Sequence, residues 1–172
     1  TEVELGYNNG GEMVRDMRQG REMFNRSPLE YEDEIAIIEY FKAQDWVNSN
    51  NIGVIGMSHG GEMALKIVSE YHGLAAAVAS EPASHEYLAL KPDNTAFINE
   101  ETGLRNIEEM QMAEVEKVRN RIDLPIAKKR ISGIDTPVLV MGRDEDHLQG
   151  IFRTSYELLE EDGKDVEWVS YD

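Results

Sequence analysis

The sequence predicts an α/β fold, a mostly parallel sheet flanked by helices. Two observations predict it. Short apolar runs bounded by polar turns recur at residues 52–56, 74–79, 137–141 and 166–169, the length and composition of strands buried in a sheet interior. Between them lie segments with helical spacing, so strand and helix alternate along the chain. Such alternation implies parallel strands joined by right-handed crossovers, with helices on both faces of the sheet.

The elements follow in order. Residues 1–26 are rich in Gly, Asn, Arg and Met and show no clean period. Ser27-Pro28-Leu29-Glu30 reads as a helix start, with Pro28 near the first helical position. From residue 31 to 46 the apolar positions Ile35, Ile38 and Phe41, with Ala36 and Tyr40, recur at helical spacing. Asn48-Ser49-Asn50-Asn51 breaks that helix, and residues 52–56 form a strand. A Gly-rich turn leads to a helix over residues 60–71. Residues 74–79 fit strand or helix by pattern alone; their place after a helix and the turn Tyr71-His72-Gly73 favours a strand. Residues 91–130 are polar and helical, with strong helix formers over 108–121. Met110, Met112, Val115 and Val118 there have the spacing of a packing stripe. Residues 137–141 form a third strand, and residues 151–161 an amphipathic helix that stops at Asp162-Gly163. A last strand runs from Val166 to the end. No internal repeat and no low-complexity tract interrupts this order.

Length and charge bound the function. The chain has 172 residues and a formal net charge of −17, with a sequence pI near 4.6. One domain over 1–172 with a real core fits that length. The charge argues against nucleic acid as a partner, since phosphates are held by Lys and Arg. It suits either a salt-adapted surface or an ordinary acidic one that keeps the protein soluble. No apolar run approaches the roughly 18 residues that would span a bilayer. The N-terminus has no basic region followed by an apolar stretch, so it does not read as a signal peptide. The absence of cysteine excludes disulfides, thiolate metal sites and a cysteine nucleophile.

The chemistry concentrates at Gly56-Met57-Ser58-His59-Gly60-Gly61. This is G-x-S-x-G between a predicted strand and a predicted helix, the context in which a serine stands on a strained turn with its hydroxyl above the strand ends. The flanking glycines are expected because a side chain there would collide with strand and helix. The backbone N–H of His59, at the helix N-terminus, is placed to donate to a developing oxyanion.

Two stretches carry a family resemblance: Asn51-Ile52-Gly53-Val54-Ile55-Gly56-Met57-Ser58-His59-Gly60-Gly61 and Thr136-Pro137-Val138-Leu139-Val140-Met141-Gly142-Arg143-Asp144-Glu145-Asp146. The chain resembles the α/β-hydrolase superfamily, and within it the esterase and prolyl-oligopeptidase-like branch, over residues 30–82 and 131–172. The resemblance implies a serine hydrolase that cleaves carboxylic esters through an acyl-enzyme at Ser58. It places the triad acid in the loop after the third strand. An ungapped match gives Glu145, and a one-residue slip gives Asp146 or Asp144. The acid's role is to orient a histidine and stabilise its imidazolium. Residues from about 86 to 130 occupy the place of a helical lid. No cofactor is implied. The cluster Asp144, Glu145, Asp146 and His147 lacks the spacing of an EF-hand or a second histidine in register, so no metal is expected.

The chain departs from the family in two ways. The family histidine lies in the loop after the last strand, where this sequence reaches Asp172. Of the four histidines, His59 adjoins Ser58, His72 ends a helix and His85 follows the second strand. His147, beside the acid loop, is the one to test. Residues 1–26 are also too few for the strands that normally precede the nucleophile strand. The expectation is therefore the C-terminal part of a hydrolase domain, with the missing parts in a longer chain or in a partner chain such as a second copy. The substrate expected is a small-molecule ester. A peptidase of the prolyl-oligopeptidase type is the alternative, and a non-catalytic binding or assembly module the alternative from another class. Glu81, at the end of the second strand, either lines the pocket or caps that strand.

Overall fold

The computed structural model describes residues 28–90 and 112–172. The chain divides into two compact units, residues 1–34 with 93–111 and residues 35–92 with 112–172. The described part of the first is the opening of one helix. The sheet and the helices packed on it belong to the second.

Helix α1 spans Pro28–Lys42 and stops four residues before the predicted end. Its last residue is anchored from outside: Lys42 Nζ donates to Tyr71 Oη at 2.8 Å and to the Gly73 carbonyl at 3.3 Å. A single 3-10 turn, Ser49–Asn51, is capped by Asn48, whose side chain accepts the Asn50 N–H. Strand β1 (Gly53–Met57) then runs into α2 (His59–Glu70), and β2 spans Ala76–Ser80. Short helices α3 (Val115–Arg119) and α4 (Leu124–Ser132) follow. The helix expected over 108–121 is thus shorter than its helix formers suggest: residues 112–114 are described and not helical, Glu114 being extended just before the helix starts at Val115, and Met110 lies outside the described residues. The chain breaks at Asn120 because Asp123 starts a new helix, accepting the Ile126 N–H ahead of Pro125. Strand β3 (Val138–Arg143), helix α5 (Gln149–Glu161) and strand β4 (Val166–Tyr171) complete the order. Helix α5 ends at the predicted stop. Gly163 has φ +70°, and the Lys164 N–H reaches back to the Leu159 carbonyl at 3.0 Å.

The four strands lie in the order β1-β2-β3-β4, all parallel, as the alternation predicts. Their register sets two faces, because side chains alternate along each strand. Val54, Ala77, Val138 and Val166 share one face, with Gly56, Ala79, Val140 and Trp168 in the next row. Helix α2 packs on β1 and β2, and α5 on β3 and β4. Trp168 lies against Tyr156 of α5, ring centroids 5.8 Å apart, under the Arg153 guanidinium at 5.0 Å. Leu65, Val68, Ile131, Ile151, Leu158 and Leu159 are fully buried, each worth about 1.5–3 kcal/mol of burial. Met112 and Val118 are buried too, so that part of the predicted stripe does pack.

The other face corrects one expectation. Residues 52–56 read as a buried strand, yet Ile55 is 79% and Met57 66% exposed, and Val169 across the sheet is also exposed. An apolar run reports that a strand suits burial. It does not report which of its faces a covering layer reaches, and among the described residues the helices that contact the sheet do so on the Ala77–Val140 side. The lid expected over about 86–130 falls partly on residues 91–111, outside the described residues. None of the described helices is long and apolar enough to cross a membrane.

Candidate active site

Strand β1 delivers Ser58 to the carboxyl edge of the sheet, and α2 begins at the next residue. Ser58 has φ 57° and ψ −115°, a region that a side-chain-bearing residue occupies only when its surroundings impose it. Three backbone hydrogen bonds impose it here. The Ser58 N–H donates to the Ser80 carbonyl at 2.9 Å. The Ser58 carbonyl accepts from Glu62 N–H and from Ala83 N–H, both at 3.1 Å. The residue is exposed, and its hydroxyl makes no capping bond to α2. The N–H of His59 opens the helix and so has no carbonyl four residues earlier within it.

The glycines explain why the turn can close, with one change from expectation. A Cβ on Gly56 would lie 1.9 Å from the Gly60 carbonyl oxygen, and one on Gly61 would lie 2.8 Å from that of Ser80. A Cβ on Gly60 meets nothing within 4 Å. The second constrained glycine is therefore Gly61, which faces β2, while Gly60 turns outward on the first turn of the helix.

The loop after β3 carries the three candidate acids. Asp144 donates its N–H to the Tyr171 carbonyl at 2.7 Å, which ties the start of the loop to β4. Asp144 and Glu145 are exposed, and Glu145 has φ 60°. Asp146 is half-buried. Its Oδ1 accepts the Leu148 N–H at 2.8 Å and lies 3.3 Å from His147 Nδ1. One oxygen of Asp146 is thus committed to shaping the loop, whereas Glu145 sits exposed on a backbone bend. Ser58 and this loop share the carboxyl edge, with β2 between their strands, so the strand axes lie about 10 Å apart.

The histidines are held as follows. His72 pairs with Asp135 at 3.0 Å, just beyond the C-terminal end of α2, and His85 Nδ1 lies 3.0 Å from the Ala83 carbonyl. His59 Nδ1 is buried, 3.9 Å from Glu62 Oε2. His147 pairs with its neighbour Asp146. Among the described residues no group of three or more His, Cys, Asp or Glu side chains converges as metal ligands would.

Sequence reasoning placed Glu81 on this edge, lining the pocket or capping its strand, but missed the cluster it forms with Tyr171 and Arg143. Glu81, at φ 46°, ends β2 and donates its N–H to the Met141 carbonyl at 2.7 Å. Its carboxylate accepts the Tyr171 hydroxyl at 2.5 Å and pairs with Arg143 at 3.2 Å. The hydrogen bond to Glu81 pushes the Tyr171 phenol above its ordinary value. The carboxyl ends of β2, β3 and β4 are thereby tied together beside the acid loop. Also missed was Glu62, buried in the first turn of α2. Its signal was present: a carboxylate three residues before Leu65, on the apolar stripe of the helix, must find partners in the interior.

A profile of the prolyl oligopeptidase family matches residues 23–169. No curated protein matches the chain by sequence. Among solved structures, the acylaminoacyl peptidase of Pyrococcus horikoshii superposes with a TM-score of 0.57 at 16% identity, covering 91% of this chain and 25% of that one. A fungal esterase from Rhizomucor miehei gives 0.55 at 16% identity, over 85% of this chain and 50% of that one. Esterase Est22 gives 0.55 at 19% identity, over 84% and 47%. The chain therefore spans a quarter to a half of the length of the structures it resembles.

Proposed function

The chain belongs to the prolyl oligopeptidase family of the α/β-hydrolase superfamily, and from that premise we propose that Ser58 is the nucleophile of an acyl-transfer site. The observation that carries the reading is the backbone of Ser58, φ 57° and ψ −115°, on a strand-to-helix turn with an exposed, uncapped hydroxyl. In this reading Ser58 Oγ attacks the carbonyl carbon of a carboxylic ester. A histidine base takes the hydroxyl proton and returns it to the departing alcohol, leaving an acyl-serine that water then hydrolyses. The N–H of His59 donates to the oxyanion of the tetrahedral intermediate. An acid among Asp144, Glu145 and Asp146 orients the histidine, with Glu145 favoured because its carboxylate is not committed to the loop. The closed pair His147–Asp146 offers one source of the imidazole, and a segment or partner outside the described residues another.

A peptide substrate is the second reading, favoured by the family match and by the resemblance to an acylaminoacyl peptidase. The two readings share the nucleophile and differ in the leaving group, an alcohol or an amine.

Fluorophosphonate labelling with peptide mapping tests the shared part, with Ser58→Ala as control. The expected result is a single adduct at Ser58 that the substitution abolishes. A folded sample that stays unlabelled would overturn Ser58 as an activated nucleophile in this chain, leaving either a site completed by a histidine from a longer chain or a non-catalytic binding or assembly module. Hydrolysis of short acyl aryl esters against acyl-peptide amides then separates esterase from peptidase.

A further inference from the structure

The loop after β2 is gripped from two sides by opposite charges. Residues 84–88 form one helical turn, closed by the Leu88 N–H to the Ser84 carbonyl at 3.0 Å. Glu62 Oε1 accepts the N–H groups of Glu86 at 2.7 Å and Tyr87 at 2.8 Å. Arg130, from α4, donates to the carbonyls of the same two residues, reaching Glu86 and, at 2.8 Å, Tyr87. A carboxylate therefore meets the amide end of this turn and a guanidinium its carbonyl end, the arrangement that the turn's own dipole favours.

The grip connects to the nucleophile turn by two short links. Glu62 is 7% exposed, and its N–H donates to the Ser58 carbonyl. Ala83, one residue before the turn, donates to that same oxygen. The Ser58 peptide is thus held by the helix that carries Glu62 and by the loop that Glu62 grips. A buried carboxylate is costly unless its hydrogen bonds are made, and an apolar residue would fill the same space more cheaply.

We propose that Glu62 and Arg130 are positioning residues, a two-sided clamp on the peptide groups of Glu86 and Tyr87 that fixes the 81–88 loop and, through Ala83, holds Ser58 in its strained backbone conformation. The link to reactivity rests on the nucleophile reading of Ser58. The link to the Ser58 backbone does not.

The test uses Glu62→Ala, Glu62→Gln and Arg130→Met in the full chain, with two readouts. Amide hydrogen exchange at Ala83, Glu86 and Tyr87 reports the clamp without reference to activity. Saturation kinetics of fluorophosphonate labelling report Ser58. The expected result for Glu62→Ala is exchange at all three amides faster by about tenfold or more, with a labelling rate constant at saturation lower by about tenfold and half-saturation unchanged. Glu62→Gln keeps an acceptor oxygen and restores both readouts most of the way. Arg130→Met moves both in the same direction by less. Rapid exchange at Glu86 and Tyr87 with Ala83 still protected would overturn the coupling, as would a wild-type labelling rate in Glu62→Ala. Unchanged exchange at all three amides would overturn the clamp itself. Should Glu62→Ala fail to fold, the other two variants carry the same comparison. Should the wild-type chain take no label, the nucleophile reading fails, and exchange at Ala83 alone decides whether the clamp reaches the Ser58 peptide.

Discussion

Ser58 donates its backbone N–H to the carbonyl of Ser80 at 2.9 Å, so the turn after β1 is pinned to the last residue of β2. That one bond joins a strained residue to a strand in the sheet interior. Backbone strain of this kind costs on the order of 1–3 kcal/mol and persists only where the surroundings over-determine it. The bonds from Glu62 and Ala83 complete that over-determination.

Replacing Ser58 by glycine should therefore stabilise the fold. Glycine reaches a positive φ without a Cβ penalty, so Ser58→Gly is expected to raise the unfolding free energy by about 1 kcal/mol. Ser58→Ala keeps the Cβ and gains nothing. Denaturant unfolding of the three proteins checks this, and equal midpoints for Gly and Ser would remove the strain argument.

The three glycines of the turn should rank by the space around them. Gly56→Ala drives a Cβ into the Gly60 carbonyl and is expected to cost several kcal/mol, on the order of the largest single-site losses. Gly61→Ala meets the Ser80 carbonyl and costs less. Gly60→Ala has open space on a helix and is neutral or stabilising by up to about 1 kcal/mol. Melting temperatures in any other order would contradict the turn geometry.

Within the acid loop, stability and reactivity should separate. Glu145→Gln leaves the denaturant midpoint unchanged, because the side chain is exposed. It lowers Ser58 labelling on the order of a hundredfold if Glu145 orients the base. Asp146→Ala loses the bond to the Leu148 N–H and about 1 kcal/mol of stability. If Asp146→Asn, which keeps that acceptor, abolishes labelling while Glu145→Gln does not, the acid is Asp146.

Burial pushes the Tyr87 phenol above its ordinary value. A raised pKa in the folded state means that the fold favours the protonated phenol. Its contribution is fully present below about pH 10, the ordinary tyrosine value, and is lost as pH climbs through the alkaline range toward the folded value. Unfolding free energy measured from neutral to strongly alkaline pH should fall above that point. In Tyr87→Phe the fall should be shallower, and identical slopes would exclude Tyr87 as its source.

How much of the fold and the site is legible in the amino-acid sequence depends on the range of the interactions. The strand–turn–helix around Ser58 can be read because its determinants are adjacent: a strand-length apolar run, glycines and a helix start within ten residues. The stop of α5 at Gly163 is legible for the same reason, since a positive φ after a helix calls for glycine. Helix α1 ends earlier than its periodicity suggests, its backbone tightening to the Gln44 N–H to Phe41 carbonyl bond, and the side chain of its last residue is tied to Tyr71 and Gly73, about thirty positions away.

Local period and turn chemistry were enough to read the order of elements, the parallel sheet and the serine at its carboxyl edge. Long-range packing settles that Gly61 rather than Gly60 is the crowded glycine, that Ile55 and Met57 lie on an exposed face, and that Glu62, Arg130, Glu81 and Tyr171 join distant segments around the site. Those facts depend on which strand lies beside which and at what register. A hydrogen bond between residues 62 and 86, or 81 and 171, leaves no period in the chain that makes it.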